Sequence, residues 1–431
     1  MNSNKKIKIG IIGNMNNNNF SILRYFHDLG IEADLLLNQN DGKYESSHFR
    51  PECDTWEINK WKSYFKYTKL DEDPSSVFSF PISIFFIFRN FFRKKKSIPI
   101  SDNYIKTTLS IYTHLIGSGL TPAITNRIDR KLDMYFPYAI GVEWIGDPVF
   151  LNKLNSNNLL ISYLSKLIKK KQQNGLKNTK HVLSIIDTSI TENNLKCLGI
   201  NPIRSLCPMV YNLESIPNII PEFLIEHIDL IKNSDFTVFS HARHLWVNHL
   251  SIDEFKWVEQ DKNNDWLIKS FFKLVKTESL KNPILILIDY GPDTMFTKAL
   301  IKELNLQNFV IWLPKLERKY IIYLISMFDV TVGEFYQIPN IVFGGTGYEV
   351  MSCGKPLIQG FDFLKNEFFN TYGVPEPPLM KVKYENDVFI HLLDLSKNIQ
   401  RRIQISKDSK QWFNEYCGIG LAKKWSNILL N

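Results

Sequence analysis

The chain has 431 residues, 44% of them hydrophobic and 22% charged, with a formal net charge of +8 at pH 7. That length is too great for one ordinary core and implies two domains, and the composition is globular. The moderate positive charge suits anionic ligands or an anionic membrane surface, while the lack of zinc-finger spacing and of an RNA-binding aromatic signature argues against a nucleic-acid partner.

The first element is the apolar strand KIKIGIIGN, ending at Gly13. Its basic start and brief apolar run read as a strand and not as a signal peptide. FSILRYFHDLGIEADLLL follows, with apolar residues at helical spacing, a stop at Gly30 and a second strand. Together they make a β-α-β unit of a doubly wound sheet. The loop Asn14 to Asn19 then lies at the carboxyl end of the first strand, where such sheets bind ligands. It is not a G-x-G-x-x-G fingerprint, so no dinucleotide is expected.

The stretch Val77 to Lys96, VFSFPISIFFIFRNFFRKKK, is the one membrane-like segment. A spanning helix needs about 20 apolar residues, and this run is interrupted by Pro81 and ends at Arg89. Two readings fit it: a buried or groove-lining helix with a solvated basic end, or, as the run of aromatics beside four cations favours, an interfacial segment with phenylalanines in the lipid boundary and Arg93 to Lys96 on anionic head groups. Further strands are expected in LDMYFPYAI and HVLSIID, with a basic amphipathic helix, YLSKLIKKKQQNGLKN, between them. The acids Glu143 and Asp147 in GVEWIGDP, and Asp187 after the later strand, fall on loops beside the expected ligand site. LESIPNIIPEF, with Pro217 and Pro221, reads as a linker. The five cysteines, odd in number and without C-x-x-C spacing, fit reduced thiols in a cytoplasmic protein.

A second α/β unit starts at DFTVFSHARHLW. Strands are expected in PILILIDYG, FVIWLP, DVTVGEF and KPLIQG, and helices in DWLIKSFFKLVK, TMFTKALIKELNL and ERKYIIYLISMF. The glycine-rich turn FGGTG (Gly344, Gly345, Thr346, Gly347) precedes an expected helix, Tyr348 to Cys353, which Gly354 and Pro356 would stop. A glycine-rich turn feeding a helix N-terminus suits phosphate, because its N–H groups and the helix dipole favour an anion. Thr346 and Glu349 also have the spacing of a capping box. One polar helix, SKDSKQWFNEYCGIGLAKKWSNILL, closes the chain. No D-x-D strand end and no H-x-x-x-H stands out, so no metal is expected. The expected domains are 1–215 and 216–406, with the helix 407–431 packing back on the first.

SHARHLW, KNND, FVIWLP and FGGTGYEVMSCGKPLI together resemble the nucleotide-sugar glycosyltransferases with two facing Rossmann-like domains and an interdomain cleft, the GT-B fold. The nearest pattern is that of the retaining family 4 enzymes. The likeness runs from Phe236 to Asp362; the N-terminal half matches in rhythm only. It implies an α/β fold of two such domains, with the donor on the second. It also implies a hexosyltransferase-type activity of polysaccharide biosynthesis, with a nucleotide diphosphate sugar as substrate and no required cofactor. The acceptor would be a glycan or glycolipid, and the enzyme would be cytoplasmic or peripheral on the inner face of a membrane.

By the same resemblance Arg243 and Lys262 bind the diphosphate, Gly344, Gly345, Thr346 and Gly347 add backbone donors, and Glu349 accepts the ribose hydroxyls. Trp312 and Leu313 line the base pocket. The family's paired-acid motif places an acid eight residues before Glu349, where this chain has Ile341; Glu334, at a strand end, is expected to do that acid's work, so that Glu334 and Glu349 form the catalytic pair. His241 and His244 stand near the donor, each with a structural role as a competing explanation. On the acceptor side stand Asn14, Asn16, Glu143, Asp147 and Asp187. Two other functions fit the same fold: a nucleotide-sugar epimerase, and a non-catalytic carbohydrate-binding protein.

Overall fold

A computed structural model describes residues 6–38, 50–70, 74–79, 100–137, 145, 155, 157–184, 189–247, 261–277, 280–336 and 344–431. The chain forms two compact units. One comprises Met1–Glu52, Glu57–Pro208 and Leu421–Asn431; the other comprises Cys53–Trp56 and Met209–Gly420. Both are α/β units built on an all-parallel sheet, the fold class expected from the alternation of apolar strands and amphipathic helices.

The first unit carries β1 (Ile9–Ile12), β2 (Ala33–Asn38), β3 (Phe65–Thr68), β4 (His114–Gly117), β5 (Met134–Tyr135), β6 (His181–Ser184) and β7 (Ile203–Arg204). They pair in the order β3-β2-β1-β4-β5-β6-β7. The order reverses between β1 and β4, whose registers pair Ile12 with Gly117. Helix Asn18–Asp28 returns the chain from β1 to β2, with Phe20, Ile22, Leu23 and Phe26 buried. The expected strand over LDMYFPYAI is only two residues long among the described residues. The last helix, Ile419–Leu430, packs Trp425 against Phe136 at 5.1 Å, and the indole donates to Ser205 Oγ at 2.8 Å.

The second unit carries β8 (Phe236–Ser240), β9 (Pro283–Ile288), β10 (Val310–Leu313), β11 (Val330–Val332), β12 (Leu357–Gly360) and β13 (Met380–Val382), in the order β10-β9-β8-β11-β12-β13. β9 is buried at every position, as a strand covered on both faces must be. Helix Asn264–Lys276 buries Leu267, Ile268, Phe271 and Leu274 in the core with Val388, Leu392 and Leu395 of helix Glu385–Lys397. Here the order reverses between β8 and β11. The carboxyl ends flanking that reversal, Ser240 and Val332, mark where a doubly wound sheet leaves room for a ligand.

Two sequence expectations need correction. The glycine-rich helix spans Gly345–Cys353, three residues earlier than expected, with Gly344 as its N-cap. It ends as expected at Gly354, whose φ of 63° is the left-handed C-cap conformation. The closing helix is two helices, Ile399–Tyr416 and Ile419–Leu430, broken at Cys417 and Gly418, whose N–H groups both turn back to the Phe413 carbonyl. Of the membrane-like stretch, residues 80–96 lie outside the described residues. Among the described residues no helix is long and apolar enough to cross a membrane.

Candidate functional site

The site of the second unit is assembled at the reversal between β8 and β11. The loop leaving β8 carries His241, Arg243 and His244, and backbone and side-chain bonds pin it on two sides. The His244 N–H donates to the Tyr290 carbonyl at 2.9 Å, and the Leu245 N–H to Asn264 Oδ1 at 2.9 Å. The Lys262 N–H donates to the Leu245 carbonyl at 2.8 Å, which ties Lys262 to the loop of Arg243. Asp293, fully buried, accepts from the N–H groups of Trp246 at 2.6 Å and Val247 at 2.8 Å. Gly291 is required beside this loop. Its φ is +133°, and a Cβ there would lie 2.4 Å from both the nitrogen and the oxygen of His244.

The end of β11 supplies Glu334 and Tyr336. The Glu334 carboxylate accepts from Lys262 Nζ at one oxygen and from the Tyr336 hydroxyl, at 2.6 Å, at the other. Lys262 Nζ also lies 2.9 Å from that hydroxyl. The Glu334 main chain is clasped by the Gln359 amide, which accepts from its N–H at 3.0 Å and donates to its carbonyl at 2.7 Å. Burial pushes the Tyr336 phenol up, and the nearby charge of Arg243 opposes that rise. Lys262, Glu334 and Tyr336 thus form one hydrogen-bonded group, with Arg243 near enough for its charge to act on Tyr336. The helix Gly345–Cys353 meets it end-on: a Cβ on Gly344 would sit 2.9 Å from Glu334 Oε2. The Gly347 and Tyr348 N–H groups turn back to the Gly344 carbonyl, and among the described residues no side chain caps the helix. A helix start of this kind favours negative charge.

One turn into that helix, Glu349 joins a second set of charges. His241 Nε2 donates to Glu349 Oε2 at 2.7 Å and Arg318 Nε donates to Oε1 at 2.8 Å. Arg318 Nη1 in turn donates to Asp54 Oδ1 at 2.9 Å. Burial alone would raise the Glu349 carboxyl. The hydrogen bond from His241 and the charge of Arg318 outweigh it and hold the group down at about 2. Thr346 is the second residue of the helix and not its cap, so the capping box suggested by its spacing from Glu349 does not form. His241 stacks on Phe239 at 5.4 Å, and its Nδ1 is buried with no hydrogen-bond partner.

The two histidines separate cleanly. His244 is packing: it is 2% exposed, bonded to Thr297 Oγ1 and the Ile288 carbonyl, and burial lowers it to about 4. His241 is part of the charged site. Trp312, on the edge strand β10, packs against the His244 ring at 5.4 Å, with Lys298 Nζ 4.9 Å above it. The Leu313 side chain is buried, and its carbonyl accepts from the Asp289 N–H at 2.8 Å.

In the first unit the loop after β1 lies at that unit's own strand-order reversal. Asn14 is 2% exposed and braces the loop, donating to Asn17 Oδ1 at 2.7 Å and accepting from the Phe20 N–H at 3.0 Å. Asn16 and Asn17 have φ of 55° and 56°, a left-handed conformation that asparagine tolerates. Asn19 reaches from this loop to Ser118 Oγ at 3.1 Å, across the reversal. Glu143, Asp147 and Asp187 lie outside the described residues. Among the described residues no group of three or more His, Cys, Asp or Glu side chains could hold a metal ion.

Sequence reasoning missed Arg318, Asp54 and Tyr336. Arg318 had a visible signal: a cation in the first turn of a helix sits against the dipole and needs an acid to hold it. Asp54 had none, since it lies 264 residues away in the chain.

Residues 256–360 match the model of the family described as Glycosyl transferases group 1. No curated protein matches the chain. Solved structures similar over nearly the whole chain include Anabaena HepE in complex with UDP and glucose, at 12% identity and a TM-score of 0.55, covering 98% of this chain and 99% of that one. The Staphylococcus aureus TarM G117R mutant, in complex with fondaparinux, alpha-GlcNAc-glycerol and UDP, is 12% identical with a TM-score of 0.52, covering 99% and 100%. The UDP-GlcNAc 2-epimerase of Methanocaldococcus jannaschii is 10% identical with a TM-score of 0.50, covering 98% and 99%. The chain therefore has the two-domain Rossmann-like fold of the GT-B glycosyltransferases, and its segment 256–360, which includes Lys262, Glu334 and Glu349, is similar to glycosyl transferases group 1.

Proposed function

We propose that the protein transfers a glycosyl group from a nucleoside diphosphate sugar to a glycan or glycolipid acceptor, with retention of configuration. The observation that carries this reading is the convergence of Arg243, Lys262 and the N-terminus of helix Gly345–Cys353 at the β8/β11 reversal, within and beside the segment similar to glycosyl transferases group 1. A departing nucleoside diphosphate gains negative charge as the glycosidic bond breaks, and fixed positive charge and backbone N–H groups lower the barrier by stabilising it. Arg243 grips two phosphate oxygens, Lys262 acts as a point charge, and Gly345, Thr346 and Gly347 present the helix start. Glu349, oriented by His241 and Arg318, keeps lone pairs for ribose hydroxyls. Its ionised form at neutral pH is the state that accepts them. UDP in the HepE and TarM complexes makes uridine diphosphate sugars the first donors to try.

A second reading, nucleotide-sugar epimerisation, has the similarity to the 2-epimerase in its favour; the family match over 256–360 favours transfer. Incubating the protein with a panel of nucleoside diphosphate sugars separates the two. A transferase releases nucleoside diphosphate productively only when an acceptor glycan is added. An epimerase alters the sugar with no acceptor present, and a binding protein does neither. Sugar conversion without acceptor, or no turnover of any donor with any acceptor, would overturn the proposal.

A further inference from the structure

Glu334 has a position that the transfer chemistry leaves unexplained. It is 5% exposed, and each of its carboxylate oxygens accepts a hydrogen bond. Lys262 Nζ holds one oxygen and the Tyr336 hydroxyl holds the other at 2.6 Å. Gly344, the cap of helix Gly345–Cys353, lies so close that a methyl group there would be 2.9 Å from Oε2 and 3.9 Å from the Tyr336 hydroxyl. Arg243 is near enough for its charge to act on Tyr336. The neutral amide of Gln359 faces only the Glu334 main chain. These are the same cation, helix start and nearby arginine that a diphosphate needs.

We infer that the Glu334 carboxylate is a resident anion at the phosphate position of the donor site, and that a diphosphate binds by displacing it from Lys262. The inference rests on the donor reading above. Two anions cannot share one ammonium and one helix start without strong repulsion in a site this dry. Burying the Lys262 ammonium beside a helix dipole that repels it is costly. Glu334 offsets part of that cost. It acts on the reaction through Lys262 and is a positioning residue: it holds the lysine in place and lowers the affinity for the charged part of the ligand alone. This gives the site a reason to select diphosphates. A ligand with one weakly held negative charge gains little by displacing Glu334, whereas a diphosphate engages Lys262, Arg243 and the helix start together.

The test is titration calorimetry of wild type and Glu334→Gln with UDP, inorganic pyrophosphate and uridine. Glutamine keeps the shape and removes the charge. UDP and pyrophosphate should bind the variant about tenfold more tightly, the scale of one charge-assisted contact, and uridine should bind both proteins equally. Equal or weaker binding of UDP by the variant, with wild-type binding intact, overturns the inference alone. No binding of UDP, pyrophosphate or any other nucleoside diphosphate to either protein overturns the donor reading, and the inference with it. Should the variant fail to fold, a structure of the wild type with UDP decides. The inference expects the Lys262–Glu334 contact opened and phosphate oxygens on Lys262; an intact contact beside bound UDP contradicts it.

Discussion

Replacing Arg318 by methionine removes a cation that bridges two buried carboxylates. The side chains of Arg318, Asp54 and Glu349 are 15%, 2% and 11% exposed, so solvent screens little of the interaction. Methionine fills much of the stem volume without charge, so the loss is electrostatic. In the wild type Glu349 is held at about 2 against an ordinary 4.5. That difference corresponds to about 3 kcal/mol of stability at pH 7, shared between His241 and Arg318. Asp54 loses its ion pair with Arg318 as well. Breaking a buried pair from one side typically costs about 3–5 kcal/mol, and that is the expected loss for Arg318→Met at pH 7, read by urea denaturation. The pH dependence provides a second check. In the wild type the Glu349 contribution is full above pH 4.5 and is lost as pH falls from 4.5 toward 2. In the variant Glu349 keeps its bond from His241 but loses the charge of Arg318, so its carboxyl rises from about 2 and less stability is lost over that interval. The gap between the two proteins should therefore narrow as pH falls from 4.5 toward 2. A loss below about 1 kcal/mol at pH 7, or a gap that stays constant from pH 4.5 to pH 2, would refute the buried-charge account.

Three further expectations follow from particular contacts. Arg243→Ala should weaken binding of a nucleoside diphosphate by about 1.5–3 kcal/mol and leave the matching nucleoside unchanged; equal losses for both ligands in calorimetry would move Arg243 away from the phosphates. Gly291→Ala places a methyl group 2.4 Å from the His244 backbone at a φ of +133°. It should cost about 3 kcal/mol or more in urea denaturation and also weaken diphosphate binding, because the displaced loop carries Arg243. Burial holds His244 at about 4 against 6.5, so the unfolded chain binds the extra proton between those values. Stability should fall as pH drops from 6.5 to 4, by on the order of 3 kcal/mol, and a Gln substitution at this position should flatten the urea-midpoint profile over that range.

The alternation of strands and helices was legible because the local and tertiary preferences agree. PILILI has no polar face and must lie in a doubly covered strand, and NDWLIKSFFKLVK carries its apolar residues on one side. Boundaries were less legible where glycine plays two parts. Gly345 and Gly347 are poor helix formers, which argued for a start at Tyr348, yet the helix starts at Gly345, where a Cβ would come within 3.2 Å of Met209 Sδ. The start then decides the fate of Glu349: a capping role required Thr346 to be the cap, and Gly344 is the cap instead. The placement of these side chains at the β8/β11 reversal was legible from strand ends for Arg243 and Glu334, and from the family resemblance alone for Lys262. It was illegible where charge is balanced by a distant segment. Nothing near Arg318 in the chain announces Asp54, and only the fold brings the two together.

The central claim, that the β8/β11 reversal of the second unit is a diphosphate site, is tested most directly by titrating the wild-type protein with UDP, the other common nucleoside diphosphates, and the corresponding nucleosides. The account predicts that at least one diphosphate binds and that its nucleoside binds about tenfold or more weakly, because Arg243, Lys262 and the start of helix Gly345–Cys353 act on the phosphates. A nucleoside that binds as tightly as its diphosphate, or no binding of any diphosphate at millimolar concentration, would contradict it.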